Sequence, residues 1–136
     1  FFFPPPPPTP DPLWSRGLGD VYKRQGLHGA MNECGGIYSV TETPINMAFP
    51  PLTWQTYDIY YTAGRYDDNG KVVKHPFVSV YHNGVKIHDK VQLPGERNTT
   101  AAPLKAGAAP GPVFLQNHGC PVRYRNIWVV ESSDEK

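Results

Sequence analysis

Two short apolar runs, Phe77–His82 and Val85–Leu93, meet at Asn83-Gly84, and this junction limits what the chain can fold into more than any other feature. A two-residue connection between strands needs positive φ at both central positions, and asparagine and glycine are the residues that tolerate it. The runs are therefore predicted to fold back as an antiparallel hairpin. On the return strand, alternation points Val85, Ile87, Val91 and Leu93 one way. It points Lys86, His88, Lys90 and Gln92 the other way, toward water.

The surrounding sequence has the same grammar. Long apolar stretches of helical period are absent, and short β-branched and aromatic runs are separated by Gly, Pro, Asn and Asp clusters, the pattern of an all-β sandwich or barrel. Gly36–Thr41 reads as a first short strand. Pro44–Pro51 reads as an irregular crossing, because prolines remove ladder donors. Thr53–Thr62 is the strongest strand signal, with Trp54, Thr56, Asp58 and Tyr60 on one face and Gln55, Tyr57, Ile59 and Tyr61 on the other. Arg65–Lys74 is a polar excursion turning at Asn69-Gly70. After a long loop over Pro94–Gly111, Val113–His118 and Val122–Val130 read as the last strands, joined at Gly119-Cys120-Pro121. About six strands are few for a complete two-sheet sandwich.

Residues 15–25, SRGLGDVYKRQ, match the in-frame translation of a transposon sequencing adapter. The proline run Pro4–Pro8 before them is low complexity. Residues 1–25 are therefore expected to be non-native, residues 26–131 to form a partial domain that has lost its first strands, and 132–136 to be a polar tail. Such a fragment has open strand edges, so residues 26–136 alone are expected to be poorly soluble. The formal charge is +1 over the whole chain; leaving out Arg16, Lys23, Arg24, Asp11 and Asp20 gives ten Lys/Arg against ten Asp/Glu. A neutral chain with scattered charges has no electrostatic footprint for nucleic acid. No run approaches the ~20 apolar residues of a membrane helix. Cys34 and Cys120 form no CxxC pattern; they could form one bridge in an oxidising compartment, but two cysteines fix no framework and free thiols are favoured. None of the five histidines has zinc-motif spacing, and no phosphate loop or nucleophile elbow is present. No metal or cofactor is expected.

Six segments, taken in order, carry a resemblance. They are Asn32-Glu33-Cys34-Gly35-Gly36-Ile37-Tyr38, Pro50 to Ile59, His82-Asn83-Gly84-Val85, Leu93-Pro94-Gly95, Phe114-Leu115-Gln116-Asn117-His118-Gly119 and Val122 to Val129. Together they resemble the 3-keto-disaccharide hydrolase domain family. The resemblance implies a concanavalin-like jelly roll of two curved antiparallel sheets, a carbohydrate cleft on the concave face, and export to the periplasm or cell surface. The chain departs from the family's usual pattern at Asn117, where aspartate is common, and at Cys120, where asparagine is frequent.

A 3-keto sugar has an acidic C2 proton. Its removal gives an enediolate from which the C1 substituent can leave, and water can then add. This chemistry needs a base, a donor for the enolate oxygen and an acid for the leaving group. His118, Arg125 and Glu33 are the candidate catalytic residues; Gln116, Asn117 and Tyr38 are the candidate substrate-binding residues. Imidazole suits proton transfer near neutrality, and a guanidinium suits a developing oxyanion. Bland roles stay open for each: a turn-ordering His118, a salt-bridged Arg125, a turn-capping Glu33, a core Tyr38. Trp54, Tyr57 and Trp128 read as core or sheet-face aromatics. The expected function is cleavage of 3-keto-glycosides by hydrolysis or elimination and hydration. A non-catalytic carbohydrate-binding module is the alternative, and a purely structural domain a third.

Overall fold

The computed structural model describes residues 31, 34–50, 52–96, 107–109, 111, 113, 115 and 123–131. Among them every regular element is a strand, which agrees with an all-β sandwich class. These are β1 (Tyr57–Thr62), β2 (Arg65–Tyr66), β3 (Val72–Lys74), β4 (Phe77–His82) and β5 (Val85–Gln92). β1, β4 and β5 form an antiparallel sheet in the order β1-β4-β5, and β2 pairs with β3.

The hairpin forms where the sequence places it. Asn83 has φ 51° and Gly84 φ 80°, the left-handed pair that a two-residue connection requires. Asn83 also ties the turn to the chain before β1. Its Oδ1 accepts from Thr56 N at 3.0 Å, its Nδ2 donates to Met47 O at 2.6 Å, and its own N–H donates to Thr56 O at 3.0 Å. These bonds engage Thr56 with the turn, and the β1 ladder starts only at Tyr57, four residues later than the sequence pattern places it.

Along β4 the alternation is clean, with Val78, Val80 and His82 buried. Along β5 it is not. The pairs His82↔Val85, Val80↔His88 and Val78↔Val91 place two residues on β4 against three on β5, twice over. Each step is a β-bulge, where two residues oppose one. The first sends both Ile87 and His88 inward, at 1% and 4% exposure; His88 is thus buried, not solvated as plain alternation predicts. The second centres on Lys90, whose φ is 46° and whose N–H donates to Ser79 Oγ at 2.8 Å.

Val78, Val80 and Ile87 are the core, with Ile37, Met47, Tyr57, Val91 and Leu93 packed against it. Gly36–Thr41 lies over this core as a closed turn instead of a strand. Ile37 and Thr41 exchange both backbone hydrogen bonds at 3.0 Å, and Ser39 takes φ 60°. Val40 N–H also donates to Ile37 O at 2.9 Å, so the turn is held by its own backbone hydrogen bonds. Gly35, at φ 88°, lets this turn sit close: a Cβ there would lie 3.2 Å from Ile87 Cδ1. The Pro44–Pro51 crossing is irregular wherever it is described, as expected.

Arg65–Lys74 closes as the β2–β3 hairpin around Asp67, whose Oδ1 accepts from Asn69 N at 3.0 Å and Lys71 N at 2.8 Å. Val122–Val130 departs from its reading as a strand. Residues 123–130 join no strand ladder among the described residues, Asn126 takes φ 53°, and Trp128 is 72% exposed. High β propensity does not make a strand without a ladder partner.

Candidate functional site

Arg125 is the predicted catalytic residue that the described structure places in a defined environment. Its guanidinium carbon lies 4.0 Å from the centroid of the Trp54 ring, a cation–π contact worth ~0.5–2 kcal/mol depending on desolvation. The sequence left a salt bridge or a ligand as alternatives. Among the described residues no carboxylate pairs with Arg125. Trp54 covers one side of the guanidinium, whose N–H groups are the donors it can offer an oxygen. Trp54 Nε1–H is buried with no acceptor among the described residues. Sequence reasoning placed Trp54 as a packing aromatic and missed this partnership. The two lie far apart in the chain, and no local pattern joins them.

Tyr38 is half-buried in the Ile37–Thr41 turn, not on a strand. His118, Glu33, Gln116 and Asn117 lie outside the described residues.

Beneath the sheet the structure gathers a different cluster of titratable groups. Tyr57 OH and Cys34 Sγ lie 3.3 Å apart, and the Tyr57 ring stacks on His82 at 4.3 Å and 11°. His82 Nε2 is 2.8 Å from Gln55 Oε1. That oxygen also takes Phe49 N–H at 3.0 Å and the Asn83 amide at 3.3 Å, so it is an acceptor throughout. His82 must then be the Nε2–H tautomer, with Nδ1 bare and buried without a partner among the described residues. Burial pushes the Cys34 thiol and the Tyr57 phenol up and the His82 imidazole down to about 4. All three groups are held in their neutral forms near neutrality. This is a structural stack, and proton-transfer chemistry has to be sought elsewhere.

The other described histidines are committed as well. His88 Nε2 bonds Gly35 O at 2.6 Å and fastens the 34–43 loop to β5. His75 Nε2 lies 3.8 Å from Glu96. A groove of about 370 Å³ runs between the 41–44 loop and β5, lined by Glu42, His88 and Asp89 among others. Of its two carboxylates, Asp89 is already bound by Lys86 Nζ at 3.1 Å, so the groove presents no ready pair of the kind an ordinary glycosidase uses.

Comparison with known proteins joins this geometry to a family. Among curated proteins none matches the chain. A crystal structure of a putative glycosyl hydrolase from Parabacteroides distasonis ATCC 8503 is similar at 31% identity and TM-score 0.56, over 65% of this chain. The chain spans 38% of that protein's length. Residues 17–130 match the model of the 3-keto-alpha-glucoside-1,2-lyase-like domain; the match opens inside the 15–25 stretch and runs through Trp54 and Arg125. The chain therefore belongs to the 3-keto-alpha-glucoside-1,2-lyase-like domain family, a family of carbohydrate-active domains.

Proposed function

We propose that the protein of which this chain is part cleaves 3-keto-glycosides, with Arg125 as the cation that receives the enolate oxygen. The observation that carries the reading is the Arg125–Trp54 cation–π contact at 4.0 Å, in a chain of the 3-keto-alpha-glucoside-1,2-lyase-like domain family. In this reading a base, for which Glu33 is the candidate, takes the C2 proton, and negative charge collects on the C3 oxygen. The guanidinium fork meets that charge, and the indole against it restrains the fork, so little reorganisation accompanies the step. The C1–O bond then breaks, the leaving oxygen takes a proton for which His118 is the candidate carrier, and water adds to C1 with return of a proton to C2. Gln116, Asn117 and Tyr38 would bind sugar hydroxyls.

The test is solvent deuterium exchange at C2 of a 3-keto-disaccharide, followed together with cleavage, in the full-length protein. Arg125→Ala should lower both by roughly 10²–10³-fold, the scale of losing one oxyanion donor. Trp54→Ala should lower kcat with less effect on KM, since it loosens the fork without removing it. Cleavage with no C2 exchange, or Arg125→Ala at wild-type rate, refutes the mechanism. Saturable binding with neither exchange nor cleavage would put a carbohydrate-binding module in its place.

A further inference from the structure

On the face of the three-stranded sheet turned away from the core, Asp58 of β1, Tyr81 of β4 and Lys86 of β5 occupy one cross-strand row. Tyr60, two residues along β1, stands edge-on to Tyr81, with centroids 5.9 Å apart and planes at 67°. Lys86 Nζ lies 5.5 Å from the Tyr81 centroid and 3.1 Å from Asp89 Oδ1. The two rings form an aromatic corner, and the ammonium at one end is held by a carboxylate and a π face. Tyr60 itself is 66% exposed, so its ring is open to a ligand.

We propose that this corner is a saccharide-binding platform that takes one neutral hexopyranose stacked on Tyr60 and bridged by Asp58 and Lys86. A pyranose has a face of C–H bonds carrying partial positive charge, which suits the negative face of an aromatic ring. Its rim hydroxyls both donate and accept. Asp58 accepts and Lys86 donates, from strands on either side of Tyr81. Two strand spacings of ~4.8 Å put them about 10 Å apart, close to the span of a hexopyranose with its hydroxyls. Asp58, Lys86 and Asp89 together carry a formal charge of −1, which disfavours an anionic sugar or a phosphate. The row has no aliphatic side chain to seat the apolar anchor of a protein partner. The inference rests on the carbohydrate reading of the domain for its ligand class alone, and needs neither Arg125 nor His118.

The experiment is an NMR titration of the full chain, following the ring signals of Tyr60 and Tyr81, with methyl α-glucoside, cellobiose and glucuronate as probes. The neutral sugars should shift both rings saturably, and glucuronate should bind more weakly. Tyr60→Phe should keep the binding, Tyr60→Ala should weaken it roughly tenfold, and Tyr61→Ala, on the opposite face, should leave it unchanged. Absence of any saturable shift, equal binding in Tyr60→Ala, or tighter binding of glucuronate each overturns the platform. Its failure is distinct from failure of the catalytic reading. Sugar on Tyr60 without C2 exchange removes only the reaction, and C2 exchange without a Tyr60 shift removes only the platform.

Discussion

Acid should loosen this fold through one buried ring. His82 has no solvent-exposed surface; it is stacked on Tyr57 and bound through Nε2–H to Gln55. Its other nitrogen faces no acceptor among the described residues, and the titratable groups beside it, Tyr57 and Cys34, are both held neutral by burial. Among the described residues no carboxylate lies there to compensate a proton. Desolvation lowers the imidazole from 6.5 to about 4. Between those values the unfolded chain binds the proton and the folded chain does not, so stability falls as pH falls. The contribution is fully present above pH 6.5, declines through the interval and is gone below about 4. Lowering the imidazole from 6.5 to about 4 corresponds to about 3 kcal/mol, a large share of the roughly 5–15 kcal/mol typical of a domain. The assay is urea denaturation of wild type and His82→Phe at pH 7.0, 5.5 and 4.5. Phenylalanine keeps a ring on Tyr57, removes the titration and leaves Gln55 Oε1 its Phe49 and Asn83 donors. Wild type should lose about 2–3 kcal/mol more than the variant between the extreme pH values. Parallel pH profiles would refute the reasoning, because they would show that the proton finds solvent or a partner at His82.

Further perturbations test the packing. Asn83→Ala removes the bonds to Thr56 and Met47 and strains a residue at φ 51°, so it should cost ~2–4 kcal/mol by denaturant titration. Gly84→Ala, at φ 80° with nothing within 4 Å, should cost only ~1 kcal/mol; equal losses at the two positions would deny the anchoring role of the Asn83 side chain. A Cβ on Gly95 would sit 2.6 Å from Val72 Cγ2, so Gly95→Ala should destabilise by ~1–3 kcal/mol and be partly rescued by Val72→Ala, whereas strictly additive losses in the double mutant would show that this contact is not the cause. Burial raises the Cys34 thiol pKa while its Tyr57 hydrogen bond lowers it; in a Cys120→Ser background Cys34 should react with a thiol reagent at pH 8 far more slowly than a free cysteine, and more slowly still in Tyr57→Phe. Labelling at the free-thiol rate would contradict the buried assignment.

How much of this was legible depended on whether a residue's position is decided by its neighbours in sequence. The β4–β5 hairpin was readable because turn chemistry at Asn83-Gly84 and alternation on Phe77–His82 agree within one short segment. The inward turn of His88 was not. It follows from the first β5 bulge, which sets Lys86 against Tyr81 and His88 against Val80 and so turns Ile87 and His88 to one side. Gly36–Thr41 and Val122–Val130 show the same limit from the other side. Both have the residues of a strand, but a ladder needs a partner, and the first closes on itself while the described part of the second meets none.

The candidate site divides along the same line. Arg125 could be nominated from sequence because a guanidinium in an apolar, strand-like run needs a partner or a ligand. Its actual neighbour, Trp54, belongs to a segment read only for packing, and the contact between them is entirely tertiary. This also explains why the Tyr60–Tyr81 corner escaped the sequence. Tyr60 and Tyr81 become neighbours only through the β1–β4 register, and Lys86 joins them only through the β4–β5 register. A one-residue slip of β1 would turn Tyr60 to the other face and bring Ile59 or Tyr61 into its place. The binding chemistry proposed for that face is therefore a property of strand register, set by the Asn83 bonds to Thr56. A substitution that shifts this anchor should remove sugar binding at Tyr60 without touching any residue of the platform.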